Sequence, residues 1–446
     1  MNNSSDLQIL HKSAREIFDA ALHAVDARAA TRRAVSLNGS ILRVVETEFD
    51  VSSRSIYVVS IGKAAVSMTL GVSDAIGERI TTAIISGPEH SEQAALPSPD
   101  WHFFVGGHPL PNEASLAAAQ AVFDLVDRAN AEHAVLIFLV SGGGSAMIES
   151  PISEEISLSD LREANRMLVA CGASISEINS VRRGFSAVKG GALARRAHQA
   201  NLITLIVSDT NPGDEASVAS GPTLAPPANA SDGRDVIDRY QLQSSLPPSI
   251  PGAINRGREA REPQLQENPY YVLLDNQTAT AAAVAKAQGL GFVAEVASNI
   301  CEQPIDEGCT LLISRLAQAW ENAGANNSGC CLVSGGEFSC PVRGDGRGGR
   351  NLETVLRCAL NLDARKRHNQ HTVVLSAGSD GIDGNSSAAG AVADETTISR
   401  ALSSGLEART FLERSDSYAF FEQLGDAIET GPTGTNVRDV RVLLRT

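Results

Sequence analysis

Short apolar, β-branched runs alternate with longer segments of helical period along most of the chain. The runs Ile56–Ile61, Thr82–Ile85, Val135–Val140, Ile203–Val207, Tyr270–Leu274, Cys331–Val333 and Thr372–Leu375 predict strands. The segments 113–128, 158–171, 185–200, 277–289, 307–322 and 351–364 predict helices. Leu10, Ile17, Ala20, Ala21 and Val25 mark an amphipathic helix near the start. Continuous apolar strands separated by helices imply an α/β fold of two domains, each a mostly parallel sheet flanked by helices. One stretch breaks the alternation. Residues 225–269 gather prolines in PPANA, SLPPSIPG and REPQLQENP, with room for a helix at Val236–Leu242. Proline removes backbone donors and disfavours helix before it, so this stretch predicts a connection between domains.

Composition narrows the function classes. The chain has 446 residues, 43% of them hydrophobic and only 4% aromatic, so Ala, Val, Leu and Ile must build the cores. A net charge of −15 and the lack of any Lys/Arg run argue against nucleic acid or an anionic membrane as partner. An anionic substrate must then be held by a few local cations. The seven cysteines are irregularly spaced with no C-x-x-C pair, which argues against a disulfide framework or a zinc site. The first residues lack the apolar core of a signal peptide, and no stretch approaches a membrane span, so the expected location is the cytoplasm.

Five apolar strands run straight into small or glycine-rich turns, reading YVVSIGKAA, LIFLVSGGGSA, LIVSDTNPGDE, LVSGGEFS and VVLSAGSDGIDG. In an open parallel sheet, ligands bind beyond the carboxyl ends of the strands. In Ser141, Gly142, Gly143, Gly144 and Ser145, three glycines let backbone N–H groups line a phosphate or carboxylate cradle. The loop GDGRGGRN places Gly344, Gly346, Gly348 and Gly349 beside Arg347 and Arg350. It formally satisfies the dinucleotide fingerprint, but the ribose-binding acid expected about 20 residues on is missing, because Asn369 stands there. Two guanidiniums beside glycine amides suit a triphosphate instead. Lys63 follows a buried strand and a glycine, without the spacing of a Walker A loop. Asp209, Asp214, Asp380 and Asp383 sit at strand ends, where Asp holds Mg²⁺, accepts a hydroxyl proton, or simply caps a turn.

Eight motifs, taken in order, resemble one family across nearly the whole chain. They are GKAA at 62–65, GHPLPNEASL at 107–116, SGGGSA at 141–146 and INSVRRGFSAVKGGALA at 178–194. SDTNPGDEASVASGPT at 208–223, GGEFSCPVRGDGRGGRN at 335–351, AGSDGIDG at 377–384 and GPTGTNVRD at 431–439 follow. The chain resembles the class II glycerate kinases, the glycerate 2-kinase family with a C-terminal MOFRL domain, whose members are often labelled hydroxypyruvate reductase. It departs from the family pattern at Gly184, Leu352 and Phe338–Ser339. The resemblance implies a Rossmann-like N-terminal domain over 1–245 and a connecting region over 246–325. A smaller MOFRL-like α/β domain over 326–446 completes the expected chain. It implies ATP-dependent phosphorylation of D-glycerate to 2-phosphoglycerate in an interdomain cleft, with Mg²⁺ as activator and a homo-oligomer compatible with the pattern.

By the same resemblance Lys63 and Arg350 carry transfer; the strand-end reading adds Asp209, which orients the acceptor hydroxyl or, with Asp380, the metal. The rivals are an NAD(P)H-dependent hydroxypyruvate reductase, a kinase acting on a related small hydroxy-acid, and a non-catalytic metabolite-binding protein.

Overall fold

The computed structural model describes residues 3–89, 96–257, 267–323, 329–364 and 370–446. Part of the proline-rich connection, residues 258–266, and Asn369 lie outside the described residues. The chain forms two compact units, one of Ala27–Leu274 and one joining the segment up to Asp26 with Asp275–Thr446.

The Ala27–Leu274 unit is built on six parallel strands. Their order across the sheet is His102–Val105, Ile80–Gly87, Ile56–Ile61, Val135–Ser141, Asn201–Val207 and Tyr270–Leu274. Numbered along the chain this is 3-2-1-4-5-6, the doubly wound Rossmann order. Every residue of Ile56–Ile61 and of Val135–Ser141 is buried, which is why these strands read as unbroken apolar runs rather than alternating ones. On one face Tyr57, Val59, Ile61, Leu136, Phe138 and Val140 pack with Ala118, Val122 and Leu125 of the helix Glu113–Ala131. That helix starts where Asn112 accepts from the Ser115 N–H at 2.9 Å, the first half of a capping box. A small antiparallel sheet of Val35–Asn38, Ile41–Val44 and Thr47–Asp50 belongs to the same unit.

Residues 185–200 do not form the helix that their pattern predicts. Only Ala192–Arg196 is helical, because Gly190 and Gly191 take φ of 63° and 80°, a left-handed turn that ends helical propagation.

The second unit has a six-stranded sheet ordered Val293–Val296, Cys330–Gly336, Asp439–Arg445, Thr372–Gly378, Gly390–Asp394 and Ala427–Ile428. Four of the six strands point the same way, while Asp439–Arg445 and Gly390–Asp394 run opposite to them. The helix Asn3–Ala24 packs on this unit, against the helix Asn276–Gly289 and the strands Thr372–Gly378 and Asp439–Arg445. Its buried Leu10, Ala14, Ile17, Phe18 and Ala21 form one apolar stripe. Among the described residues no helix is long and apolar enough to cross a membrane.

The N-terminal helix is tied down by a polar contact as well as by packing. His11 Nε2 lies 2.8 Å from Asp394 Oδ2, and Asp394 Oδ1 accepts from the Thr396 N–H at 2.6 Å. Burial opposes ionisation of Asp394, but His11 and Thr396 outweigh it and hold the carboxyl down to about 2. A depressed carboxyl adds stability above the ordinary carboxylate range and loses it as pH falls towards the native value. Asp394→Asn should therefore cost about 2 kcal/mol at pH 7, and progressively less between about pH 4 and pH 2. Urea denaturation of both proteins across that range checks this; a pH-independent difference would contradict it.

Candidate active site

The strand order places a topological switch point between Ile56–Ile61 and Val135–Ser141, where successive connections leave in opposite directions and open a crevice. Both strands end there in glycine turns. Gly62 adopts φ of 113°, and a Cβ on it would stand 2.3 Å from the Ser141 carbonyl oxygen, so only glycine allows the turns to approach. The approach is fastened by hydrogen bonds. The Lys63 N–H donates to the Gly142 carbonyl at 2.9 Å, and the Ala64 N–H donates to Ser141 Oγ at 3.0 Å.

The Lys63 side chain passes over the second turn, since a Cβ on Gly143 would meet Lys63 Cγ at 3.0 Å and His108 Cδ2 at 3.4 Å. No side chain caps the helix Ala65–Ile76 that opens after Lys63. Lys63 and the Gly142–Ser145 turn thus lie together, and His108, which the sequence did not single out, lies beside them. Asp209 is half-buried just after Asn201–Val207, the next strand along the same edge.

Several polar residues of this corner carry no recognisable signature of their own. Ser220 Oγ donates to Asn179 Oδ1 at 3.0 Å, so Ser145 Oγ, 2.8 Å away, is the donor to Ser220. Ala219 and Ser220 hold φ of 51° and 62°, a left-handed conformation that costs a non-glycine residue about 1–2 kcal/mol. Strain of this kind persists only where the surroundings impose it. Here the Gly190 N–H donates to the Ser220 carbonyl at 3.0 Å and the Gly191 N–H to the Gly221 carbonyl at 2.7 Å. Behind them, Lys189 and Glu149 form an ion pair with side chains 2% exposed, and Ser186 Oγ donates to Glu149 at 2.5 Å. Burial pulls the Lys189 ammonium down, and Glu149 opposes that pull.

In the second unit Arg350 opens the helix Arg350–Ala364. Its Nε donates to Asp439 Oδ2 at 2.6 Å and its Nη2 to Asp439 Oδ1 at 3.1 Å, while Glu337 Oε1 lies 2.7 Å from Nη2. Burial works against the guanidinium's charge, but Asp439 and Glu337 outweigh it and keep Arg350 protonated. Asp383 accepts from the Asn351 and Leu352 N–H groups at 3.1 and 2.8 Å and so caps this helix. Burial pushes its carboxyl up to about 7.

The neighbouring glycine loop is engaged with its own unit. The Gly346 N–H donates to the Arg414 carbonyl, that of Arg347 to Asp416 Oδ1 and that of Gly348 to Asn385 Oδ1. A Cβ on Gly344 would stand 2.7 Å from the Arg414 carbonyl oxygen, and one on Gly349 would stand 2.4 Å from Asp383 Oδ1. The glycines therefore let the loop pack closely. The strands flanking Arg350–Ala364 are separated by the antiparallel Asp439–Arg445, so the parallel βαβ setting of a dinucleotide fingerprint is missing. Asp380 follows Thr372–Gly378, where its Oδ1 accepts from the Ile382 N–H at 3.2 Å.

Among the described residues no group of three or more His, Cys, Asp or Glu is placed to hold a metal ion. Mg²⁺ often takes only one or two carboxylates and completes its shell with water and substrate phosphates. Single strand-end carboxylates such as Asp209 and Asp380 fit that mode and not an all-protein cage.

Comparison with known proteins agrees with this architecture. Residues 13–255 match a family described as a domain of unknown function, DUF4147, and residues 330–439 match the MOFRL family. A D-glycerate 2-kinase of Thermotoga maritima is 32% identical over 89% of this chain and 92% of its own length. The chain belongs to the glycerate kinase family. A putative hydroxypyruvate reductase of Agrobacterium vitis is 35% identical over 87% of this chain and 98% of its own. The crystal structure of a glycerate kinase from Thermotoga maritima superposes with a TM-score of 0.81 at 29% identity, covering 98% of this chain and 100% of that one.

The buried ion pair that backs the turn gives a direct test. Lys189→Ala strands Glu149 without its partner and should cost about 3–5 kcal/mol. Chemical denaturation measures it, and a loss below 1 kcal/mol would show that Glu149 takes up a proton or another partner at little cost.

Proposed function

We propose that the chain transfers the γ-phosphoryl group of ATP to D-glycerate, yielding 2-phosphoglycerate and ADP. The observation that carries the reading is Lys63 lying over the Gly143 turn at the switch point of a Rossmann-ordered sheet. The family relatives named as glycerate 2-kinase support the acceptor and the position phosphorylated.

In this reading the acceptor hydroxyl oxygen bonds to the γ-phosphorus as the bond to the β–γ bridging oxygen breaks. The hydroxyl proton passes to Asp209. The turn Gly142–Gly144 approaches the phosphate oxygens through its backbone, where no side chain intervenes. Lys63 and Arg350 offset the charge that builds on the transferring group, and positioning with electrostatics supplies most of the acceleration. Asp439 and Glu337 are positioning residues, since they fix the guanidinium of Arg350. The loop Gly344–Gly349 acts by bringing the chain into the helix that Arg350 opens. With Asp209 taking the proton, Asp380 would hold Mg²⁺, which when bound draws charge from the phosphate oxygens.

A coupled ADP assay with D-glycerate, followed by phosphorus NMR of the product, tests the reading. ADP release that depends on D-glycerate, with a phosphorus signal at the 2-position, is expected; oxidation of NADH or NADPH by hydroxypyruvate would support the reductase instead. Lys63→Ala and Arg350→Ala should each lower turnover at least about tenfold, a barrier rise of about 1.4 kcal/mol. Near-normal turnover in either folded variant would remove that residue from the mechanism. Asp439→Ala should lower turnover too, and cost about 3–5 kcal/mol by leaving Arg350 without its buried partner. Asp439→Glu, which keeps the charge, should recover part of the rate, an outcome that a purely structural role does not require.

A further inference from the structure

The hydrogen bonds behind the Gly142–Ser145 turn run in one direction, and that direction limits what Ser145 can recognise. They start at Arg182, because a guanidinium only donates. Its Nε donates to Asn165 Oδ1 at 2.7 Å, and Asn165 Nδ2 donates to the Leu161 carbonyl at 2.8 Å, which orients that amide. Arg182 Nη1 stands 3.5 Å from Asn179 Oδ1, so the oxygen of this second amide, and not its nitrogen, faces the guanidinium. The same Oδ1 accepts from Ser220 Oγ, and Ser220 accepts from Ser145. Asn179 and Ser220 are 2% and 1% exposed, so these bonds are shielded from water.

The Ser145 proton is thereby committed inward. A hydroxyl has one proton and two lone pairs, so what the half-buried Ser145 still offers is acceptance alone. A phosphate or carboxylate oxygen brings only lone pairs and gains nothing from such a partner, whereas a hydroxyl brings a proton. Ser145 also stands where an acceptor substrate must be read. It follows the glycine turn in the chain, and it is bonded to the end of the stretch that begins at Asp209. That stretch is braced within itself, Thr210 Oγ1 donating to the Asp214 carbonyl at 3.1 Å and Ser217 Oγ to Asp214 Oδ1 at 2.7 Å. Gly144 lets turn and stretch meet, since a Cβ there would stand 2.8 Å from Ala219 Cβ.

We infer that Ser145 is a specificity-determining residue for the acceptor, its Oγ accepting a hydrogen bond from the substrate hydroxyl that is not phosphorylated. The inference rests on the kinase reading, in which Asp209 takes the proton of the reacting hydroxyl. On D-glycerate that leaves the C3 hydroxyl for Ser145. The Ser145 side chain thus reads the acceptor, while the backbone of Gly142–Gly144 faces phosphate. Ser220, Asn179 and Arg182 are positioning residues, which keep the Ser145 proton turned away from the substrate. The left-handed backbone at Ser220 holds its Oγ between Ser145 and Asn179. A site built to pair a substrate hydroxyl rejects an analogue that lacks it, because its own polar group is then left unpaired.

The coupled ADP assay with D-glycerate and with D-lactate, which lacks only the C3 hydroxyl, tests it. Where D-lactate is not turned over, its inhibition constant against D-glycerate replaces kcat/KM. The wild-type chain should prefer D-glycerate. Ser145→Ala should lower kcat/KM for D-glycerate at least about tenfold, keep the value for D-lactate within about twofold, and leave KM for ATP unchanged. Ser220→Ala, which frees the Ser145 proton to turn towards the substrate, should narrow the preference in the same direction. Alanine suits that position, since Ala219 beside it holds the same backbone conformation. If Ser145→Ala does not fold, Ser145→Cys, whose sulfur accepts only weakly, is read in the same way. An equal loss with both acids, as a purely structural role would give, overturns the inference. So does an unchanged preference, or a raised KM for ATP alone. A wild-type chain that releases no ADP with D-glycerate overturns the kinase reading and this inference together, whereas ADP release with the preference intact in the variants overturns this inference only.

Discussion

The approach of two strand ends governs the Ala27–Leu274 unit. Ile56–Ile61 and Val135–Ser141 lie side by side, and their turns touch backbone to backbone at Gly62 and Ser141. The contact exists only because residue 62 has no Cβ, and the Lys63 N–H closes it on the Gly142 carbonyl. Everything at this edge inherits its position from that contact. Lys63 is carried on one turn and the glycine backbone on the other, so an ammonium and a run of small residues occupy one corner without a loop having to order itself.

The two cations at the centre of the reading are handled by opposite means. Lys63 is half-buried on a turn, its ammonium carried at the end of a four-carbon stem. Arg350 is clamped, with Asp439 below it on a buried strand and Glu337 beside it. Asp439 is only 1% exposed, and it also lies 3.9 Å from Arg441, whose guanidinium stacks 3.6 Å from the Phe338 ring centroid. Burial alone would favour a neutral Asp439, but Arg350 and Arg441 hold its carboxyl below the ordinary range.

Much of the α/β framework was legible because buried parallel strands advertise themselves. Ile56–Ile61 coincides with its apolar run, Val135–Ser141 exceeds its own by one residue, and the helices near 113–128, 277–289, 307–322 and 351–364 keep their period. The short or amphipathic strands, among them Ile41–Val44, His102–Val105 and Gly390–Asp394, left no comparable run. Asp439–Arg445 was hidden for another reason, since Arg441 and Asp439 interrupt its apolar pattern although both are buried. The site divides along the same line. Lys63 and Gly142–Ser145 could be found because a strand points at them. Asn179, Ser220 and the Glu149–Lys189 pair could not, because what makes them unusual is burial and a left-handed backbone, neither of which a residue type declares. The packing of the first helix on the second sheet was equally silent, as an amphipathic stripe names no partner.

The placement of Asp439–Arg445 inside its sheet bears on how the polypeptide is made. Ala27–Leu274 is contiguous, so it can fold as soon as it leaves the ribosome. The other sheet cannot join Cys330–Gly336 to Thr372–Gly378 until Asp439–Arg445 has been synthesised to lie between them. Throughout that interval the stripe of Leu10, Ile17 and Phe18, made before Ala27–Leu274, has no sheet to cover it. The nascent chain therefore carries that apolar stripe without its sheet, and with only the helix Asn276–Gly289 to pack on, until Asp439–Arg445 emerges, a natural target for chaperones that shield emerging segments.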